Sequence, residues 1–228
     1  MSYVSAIVVA AGKGLRLKSE TPKPLININR KPVIIYALGC LNKEPRIKEI
    51  IVVANKANVK GIRKAVKKYR INKVKKIILG GKLRQDSVLK GLKAADSGMV
   101  LIHDAGRPFI DSKIVRSAIV QAQKSGAAIV GVPVKGTIKV AVSCQLPAVS
   151  KTLDRSLLWE IQTPQVFKKE WLLEAYRKFG KIKVTDDSSL IEKLGKKVKI
   201  VLGSYSNIKI TTPEDLVIAK AIARSRLR

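Results

Sequence analysis

Short runs of apolar, mostly β-branched residues alternate along this chain with longer segments whose apolar residues recur at helical spacing. The runs occupy residues 5–10, 47–54, 76–79, 99–103 and 127–132. Successive apolar positions are typical of strands that helices cover on both faces of a parallel sheet. Together with right-handed crossovers, the pattern predicts an α/β fold with a mostly parallel central sheet and helices on both faces.

The alternation stops between residues 135 and 167, where helical spacing is absent from the sequence. Short β-like pieces at 137–143 and 148–152, separated by Pro147, predict a hairpin. We therefore expect a protruding β-arm at about residues 135–160, carried by a single domain that spans residues 1–228.

The end of the chain contains two further predicted elements. Residues 207–210, N-I-K-I, resemble a short apolar strand with Lys209 inside it. Thr212 is a capping residue, Pro213 suits the first helical position, and two acids follow, so a C-terminal helix is predicted over 216–223.

The charge balance is strongly basic, with 46 Lys+Arg against 16 Asp+Glu and a net charge of +30. Such a charge suits nucleic acid, an anionic surface or phosphorylated substrates, and it also occurs in generally basic proteomes. The single histidine, His103, and the lack of a Gly-x-Ser-x-Gly motif argue against multi-histidine metal sites and most hydrolase triads.

A nucleic-acid-binding protein is the alternative from a different functional class. Nine basic and no acidic residues lie between Lys60 and Lys76, as expected for phosphate-backbone contacts. However, Ile62, Ala65 and Val66 mark this segment as an amphipathic helix, whose cations then form a solvated face. The aromatic content of 4% also provides few stacking platforms for bases.

Cysteine use and hydropathy bear on localisation. Cys40 and Cys144 form no Cys-x-x-Cys pair, which favours free thiols in a reducing cytoplasm. The longest apolar stretches fall short of the ~20 residues of a membrane-spanning helix. We expect a cytoplasmic protein that does not interact with membranes.

The first candidate site is the segment A-A-G-K-G-L-R at 10–16, which directly follows the first predicted strand, with P-K-P at 22–24 behind it. A glycine-rich turn with nearby cations suits a bound phosphate. It is neither a Walker P-loop nor a dinucleotide fingerprint, because no Ser or Thr follows the Gly-Lys pair and Leu17 replaces the third glycine. A tight strand-to-loop turn is the alternative.

The second candidate is H-D-A-G-R-P at 103–108, at the carboxyl end of the fourth predicted strand, where open α/β sheets bind ligands. Asp104 suits a metal ion or a hydroxyl, and Arg107 suits an anion. The alternative is an Asx-type turn with a surface arginine. Lys209, in turn, either binds an anion or extends from the edge of the sheet into solvent.

The order of these motifs is typical of one family. A-A-G-x-G-x-R, P-K, an Asp86-Ser87 pair, H-D-A-x-R-P, T-P-Q at 163–165 and N-I-K-x-T-x-P-E-D-L follow one another along the chain. Over essentially its full length the chain resembles the 2-C-methyl-D-erythritol 4-phosphate cytidylyltransferases. The resemblance implies a Rossmann-like nucleotidyltransferase that is a homodimer through its β-arm. It would join CTP to a polyol phosphate with Mg²⁺ and release pyrophosphate in non-mevalonate isoprenoid precursor synthesis.

The resemblance also implies roles for individual residues. Arg16 and Lys23 would hold the CTP phosphates, and Lys209 and Arg155 would position the attacking phosphate. Contacts with the polyol phosphate would come from Asp104, Arg107 and Thr137. In the family, the residues at the positions of Arg155 and Thr137 lie on the arm of the neighbouring subunit, so the dimer would complete the active site.

The same resemblance implies a nucleotide pocket lined by Ala10, Ala11, Gly12, Gly14, Gly81, Arg84 and Ser87. The chain departs from the family pattern at Pro24, Lys82 and Gly106, where a Gln, an acid and an Ala are usual. The change at Lys82 bears on base recognition, whereas none of the three removes a proposed catalytic charge.

The chemistry of such a reaction suits a chain with one histidine. A phosphomonoester has a second pKa of about 6, so it is largely ionised without a general base. Asp104 is expected either to bind the metal or to accept a hydroxyl of the polyol, with Mg²⁺ on triphosphate oxygens. A cytidylyltransferase for another polyol phosphate, such as ribitol 5-phosphate, remains an alternative.

Overall fold

The structure is a computed structural model that describes residues 3–12, 14–17, 19–142 and 148–226. The described strands are β1 Val4–Val9, β2 Asn27–Ile28, β3 Lys31–Pro32, β4 Ile47–Ala54, β5 Val74–Leu79, β6 Met99–Asp104, β7 Ala127–Pro133, β8 Lys139–Ala141, β9 Val149–Thr152, β10 Trp159–Lys168 and β11 Lys199–Leu202. The described α-helices are α1 Val33–Lys43, α2 Val59–Lys68, α3 Arg84–Ala94, α4 Ser112–Ser125, α5 Lys169–Phe179, α6 Ser188–Lys193 and α7 Pro213–Ser225. Short 3-10 helices cover Leu15–Leu17, Lys23–Leu25 and Arg155–Leu157.

Seven strands form the central sheet, in the order β11-β7-β10-β6-β1-β4-β5. β1 pairs in parallel with β4 and β6, β4 with β5, and β7 with β11, whereas β10 runs antiparallel between β6 and β7. The predicted mostly parallel α/β sheet is therefore confirmed. Its carboxyl-terminal edge collects the loops that follow β1, β5 and β6.

Helices cover both faces of this sheet, as predicted. Alternate side chains of β1 point to opposite faces, so Ala6 and Val8 pack with α1, α2 and α4 while Ile7 packs with α3, α5 and α6. A third apolar cluster joins α7 to Phe109 and the β2-β3 ribbon. This cluster fixes the C-terminal helix beside the loop that follows β6.

Strand β10 is the main element that the hydrophobic pattern missed. Gln162, Thr163 and Gln165 are polar, yet each is at least 95% buried in this strand, so its sequence lacks a continuous apolar run. The strand begins at Trp159, so residues 159 and 160, at the end of the segment predicted to form the arm, pair in the central sheet.

The C-terminal helix is confirmed and begins at Pro213. The Asp215 carboxylate accepts hydrogen bonds from the backbone N–H groups of Thr211 and Thr212, at 2.7 and 2.9 Å. The strand predicted at 207–210 was wrong, because this segment has irregular backbone. It attaches to the loop after β6 instead, where the Ile210 N–H donates to the Gly106 carbonyl at 2.8 Å.

The segment predicted to form the arm contains a separate two-stranded antiparallel ribbon of β8 and β9. The predicted strand 137–143 is shorter in the structure, and its end at Ser143, together with Cys144 and Pro147, lies outside the described residues. Apolar side chains on this ribbon and its base are exposed, among them Val142, Val149 and Leu157. A membrane-spanning helix of sufficient length and hydrophobicity is absent from the described ranges.

Candidate active site

The Asp104 carboxylate lies at the centre of the candidate site. Asp104 is the last residue of β6 and pairs with Val9, the last residue of β1. Its Oδ1 accepts a hydrogen bond from Arg84 Nε at 3.3 Å, and its Oδ2 accepts one from Lys209 Nζ at 2.6 Å. One side chain therefore connects β6, the first residue of α3 and the irregular segment before α7.

The two cations determine the charge state of Asp104. Burial works to raise the pKa of this carboxyl, but the charges of Arg84 and Lys209 outweigh burial and hold the pKa well below its usual range. Asp104 is thus ionised at neutral pH. Since a carboxylate has lone pairs beyond those used here, it can still accept a substrate hydroxyl.

Arg84 contacts a second carboxylate that the sequence analysis did not single out. Its Nη1 lies 2.8 Å from Oδ2 of Asp187, and the Tyr176 hydroxyl donates to Asp187 Oδ1 at 2.7 Å. Burial works to lower the pKa of the Arg84 guanidinium, and the charges of Asp187 and Asp104 raise it above its usual value. The one signal in the sequence was the Asp186-Asp187 pair, in a chain with only 16 acidic residues.

Lys23 adds a further cation beside Asp104 and Lys209. It begins a 3-10 helix and donates from Nζ to the Ile210 carbonyl at 3.1 Å. Burial lowers the pKa of the Lys23 ammonium, the charges of Lys209 and Arg16 lower it further, and Asp104 opposes them. Lys23 and Lys209 thus place two positive charges beside Asp104, and Arg16 adds a third near Lys23, an arrangement that favours a bound anion.

Two asparagines hold the glycine-rich turn that follows β1. Asn58 donates from Nδ2 to the Ala10 carbonyl at 2.8 Å, and Asn55 donates from Nδ2 to the Ala11 carbonyl at 3.1 Å. Further along the turn, Gly14 has a φ of 67°, a conformation that side chains disfavour. Lys13 lies outside the described residues. The turn is therefore anchored on β4 and the start of α2.

The predicted nucleotide residues from separate parts of the chain converge beside this turn. The Gly81 N–H donates to Ser87 Oγ at 3.2 Å. A Cβ at Gly80 would come within 2.7 Å of Ala11 Cβ and would also meet Ser87. Gly80, which the sequence analysis missed, is thus needed for the close approach of Ala11 and Ser87. The exposed Gly12 lies in the same turn.

His103 is fully buried behind the site and serves as a structural connector. The Arg107 carbonyl can only accept, so His103 Nε2–H donates to it at 2.9 Å and the neutral Nδ1 accepts from the Thr163 hydroxyl at 3.1 Å. Thr163 Oγ1 in turn accepts from the Asp104 N–H. Burial lowers the pKa of His103 to about 4. The imidazole is therefore neutral near pH 7 and carries no charge toward a substrate.

Arg107 is more buried than we expect for a residue predicted to contact the substrate phosphate. It is 7% exposed, and its Nη1 and Nη2 donate to the carbonyls of Asn207 and Ile161, at 2.8 and 3.4 Å. Burial lowers the pKa of this guanidinium, while the Asp104 charge opposes that effect. These contacts tie the loop after β6 to β10 and to the segment before α7.

The structure does not bring Arg155 and Thr137 to the cluster that Asp104 forms with Arg84, Lys209 and Lys23. Both side chains are exposed, and Arg155 Nη1 donates to the Lys135 carbonyl at 3.0 Å at the base of the ribbon. No hydrogen bond or ion pair joins either residue to the cluster within the described ranges. A contact with substrate would therefore require another copy of the arm or a movement of this one.

The three departures from the family pattern occupy different environments. Pro24 is buried, Lys82 is exposed, and Gly106 faces Lys23. A Cβ at Gly106 would lie 3.4 Å from Lys23 Nζ, an ordinary contact distance. The glycine therefore leaves slightly more room around the Lys23 ammonium than an alanine would.

Metal binding was tested against the side chains present. Among the described residues, no three His, Cys, Asp or Glu side chains are grouped so as to hold a metal ion. Both oxygens of Asp104 already accept from cations. Mg²⁺ at phosphate-transfer sites is commonly held by one or two carboxylates together with substrate phosphates. The described residues therefore fit a Mg²⁺ ion that phosphate oxygens and water would hold, because Arg84 and Lys209 already bind both oxygens of Asp104, the predicted metal ligand.

Comparison with known proteins agrees with this geometry. The family model described as 2-C-methyl-D-erythritol 4-phosphate cytidylyltransferase matches residues 4–225. Proteins of that name are 44% identical over 226 residues in Clostridium botulinum and 40% identical over 231 residues in Halalkalibacterium halodurans. The alignments cover 97% and 100% of this chain and 98% and 100% of those proteins.

A solved structure also superposes on the whole chain. It is the crystal structure of 4-diphosphocytidyl-2C-methyl-D-erythritol synthase from Anaerococcus prevotii, with a TM-score of 0.85 and 36% sequence identity. The superposition covers 98% of this chain and 96% of that one. Sequence and fold agree over nearly the full length, and the chain belongs to the 2-C-methyl-D-erythritol 4-phosphate cytidylyltransferase family.

Proposed function

We propose that this protein transfers the cytidylyl group of CTP to 2-C-methyl-D-erythritol 4-phosphate and releases pyrophosphate, in non-mevalonate isoprenoid precursor synthesis. The observation that carries the proposal is the convergence of Lys23, Lys209 and Asp104 at the carboxyl ends of β1 and β6. Family membership supports the same activity. It also favours an enzyme over the nucleic-acid-binding alternative.

The reaction joins two anions, so its barrier lies in positioning and charge rather than in deprotonation. A phosphate oxygen of the polyol phosphate attacks the α-phosphorus of CTP, and the bond to the β-phosphate breaks as pyrophosphate leaves. Arg16 and Lys23 stabilise the charge that develops on the triphosphate, and Lys209 positions the attacking phosphate. Asp104, fixed by Arg84 and Lys209, accepts a hydroxyl of the polyol.

The nucleotide base binds beside the glycine-rich turn in this proposal. Ala11, Gly81 and Ser87 form the wall on which it packs, because these residues already lie together. Mg²⁺ bound to the triphosphate would withdraw charge from its oxygens and orient the leaving group.

We also propose that a second copy of the chain supplies Arg155 and Thr137. Both residues lie on or beside the exposed ribbon, away from the cluster in their own chain. The exposed Val142, Val149 and Leu157 give the arm an apolar surface that a partner subunit would cover. Arg107, whose Nη1 and Nη2 donate to carbonyls and whose Nε is buried, supports the loop that follows β6 in this proposal.

The substrate assignment predicts a selective assay result. With CTP and Mg²⁺, pyrophosphate release is expected to be fastest with 2-C-methyl-D-erythritol 4-phosphate. We expect kcat/KM to fall about 10-fold or more with ribitol 5-phosphate, because a longer chain changes the hydroxyl contacts at Asp104. A higher kcat/KM for ribitol 5-phosphate would contradict the substrate, and no pyrophosphate with any polyol phosphate would contradict the activity.

The cation assignment predicts that Arg16→Ala and Lys23→Ala each lower kcat by about 10² or more, because each removes a charge aimed at the transition state. Steady-state kinetics on each purified variant checks this, together with circular dichroism to establish folding. Lys64→Ala, on the exposed face of α2, is the matched control and is expected to keep wild-type kcat. A folded Lys23→Ala protein with wild-type kcat would remove the assignment.

The shared-site proposal predicts complementation between two inactive variants. Lys23→Ala and Arg155→Ala proteins are mixed under subunit-exchange conditions, and pyrophosphate release is measured. Random exchange makes half of the dimers hybrids, each with one intact site, so about a quarter of wild-type activity is expected. Zero recovery, after labelled subunits confirm exchange, would place the complete site within one chain.

A further inference from the structure

Asp187 is a buried acidic residue that contacts neither substrate in the proposed reaction. It immediately precedes α6, and its residue is fully buried. Its Oδ2 lies 2.8 Å from Arg84 Nη1, and its Oδ1 accepts from the Tyr176 hydroxyl at 2.7 Å. Burial raises the pKa of this carboxyl above its usual value, and the charge of Arg84 and the Tyr176 hydroxyl, which favour the ionised form, oppose that effect only in part. The contact between Arg84 and Oδ2 is a close ion pair that lacks hydrogen-bond geometry.

The pairing fixes the orientation of one arginine from two sides. The guanidinium of Arg84 reaches Asp104 through Nε and Asp187 through Nη1. Because a guanidinium is planar, a hydrogen bond at Nε together with an ion pair at Nη1 restricts its rotation. With Asp104 alone, Arg84 would be free to rotate about that single contact or to turn toward solvent, since 28% of its side chain is exposed.

The position of Arg84 affects the substrate side of the site. Asp104 Oδ1 faces Arg84 and Asp104 Oδ2 faces Lys209, so the two cations together set the plane of the carboxylate. A rotation of Arg84 would therefore release one oxygen of Asp104. The polyol hydroxyl and the lysine that positions the attacking phosphate both depend on that carboxylate in the proposed function.

We propose that Asp187 is a positioning residue for cytidylyl transfer, which acts through Arg84 to hold Asp104 and Lys209 in the geometry that binds the polyol phosphate. Tyr176 supports Asp187 from the far side. The inference rests on the proposed function, since it concerns the same site. It assigns no contact between Asp187 and either substrate.

The kinetic test replaces Asp187 by asparagine, which keeps the shape of the side chain and removes its charge. The expected result is a fall of about 10-fold in kcat/KM for 2-C-methyl-D-erythritol 4-phosphate that comes from a higher KM for this substrate, with KM for CTP within about threefold of wild type. A variant that is only less stable would instead contain a smaller fraction of active protein, and its KM values for both substrates would be unchanged. Wild-type kinetics in folded Asp187→Asn protein, or unchanged KM values with only a lower kcat, would overturn the proposal.

A double-mutant cycle tests whether Asp187 acts through Arg84. Arg84→Lys is measured alone and together with Asp187→Asn. Since the proposed effect passes through the arginine, Asp187→Asn is expected to change kcat/KM less than about twofold once Arg84 is lysine. The same fold-loss in both backgrounds would show an independent role for Asp187 and would overturn the proposal.

Two further variants complete the experiment. Asp96→Asn is the matched control, because Asp96 is an exposed acid paired with Lys76 near the opposite end of β6, and it is expected to keep wild-type kinetics.

If Asp187→Asn does not fold, Tyr176→Phe tests the proposal instead, because it removes only the hydroxyl that donates to Asp187. A rise of about threefold in KM for the polyol phosphate supports the proposal, and an unchanged KM overturns it. Wild-type protein that releases no pyrophosphate would instead overturn the proposed function together with this inference, so the two failures are distinguishable.

Discussion

The rest of the site depends on the ion pairs that the Asp104 carboxylate makes with Arg84 and Lys209. Like charges close together repel, and Lys23, Lys209 and Arg16 would disfavour one another without an anion among them. Asp104 supplies that anion from the end of a central strand. It thereby keeps a group of cations in place before any substrate phosphate arrives, and its own pKa falls as a consequence.

The same ion pairs explain why several distant segments meet at one edge of the sheet. Arg84 begins α3, Lys209 lies in the irregular backbone before α7, and Asp104 ends β6. The neutral His103 and the Thr163 hydroxyl hold the adjacent backbone. Buried ion pairs contribute little net stability, because desolvation opposes their attraction. We therefore interpret this arrangement as one maintained for binding anions rather than for stabilising the fold.

The elements that the sequence predicted are those whose buried or capping residues follow a local pattern. β1, β4 and β6 are continuous apolar runs, and the cap of α7 is encoded by Thr212, Pro213 and Asp215. By contrast, β10 was missed because Gln162, Thr163 and Gln165 are buried polar residues, each of which makes a hydrogen bond to a residue distant in the sequence. Local composition does not record such long-range hydrogen bonds.

The residues of the candidate site were likewise predictable only where a local sequence motif marked them. The glycine-rich turn and the H-D-A-G-R-P segment indicated Lys23 and Asp104 through their position after strands. The strand expected around Lys209 was wrong, because its apolar neighbours Ile208 and Ile210 pack beside α7 rather than in a sheet. Asp187 pairs with Arg84 although the two are far apart in the sequence, and Tyr176 joins them through Asp187, so only the folded structure shows this arrangement.

The most direct test of the central claim is the titration of Asp104 itself. Protein with ¹³C-labelled aspartate is followed by NMR from pH 7 downward, and Asp104→Asn identifies the Asp104 carboxyl signal. If Arg84 and Lys209 hold this group ionised, its signal stays at the ionised position until well below pH 3.8, the ordinary value for this carboxyl. A midpoint at or above about pH 4 would show an ordinary aspartate and would contradict the account.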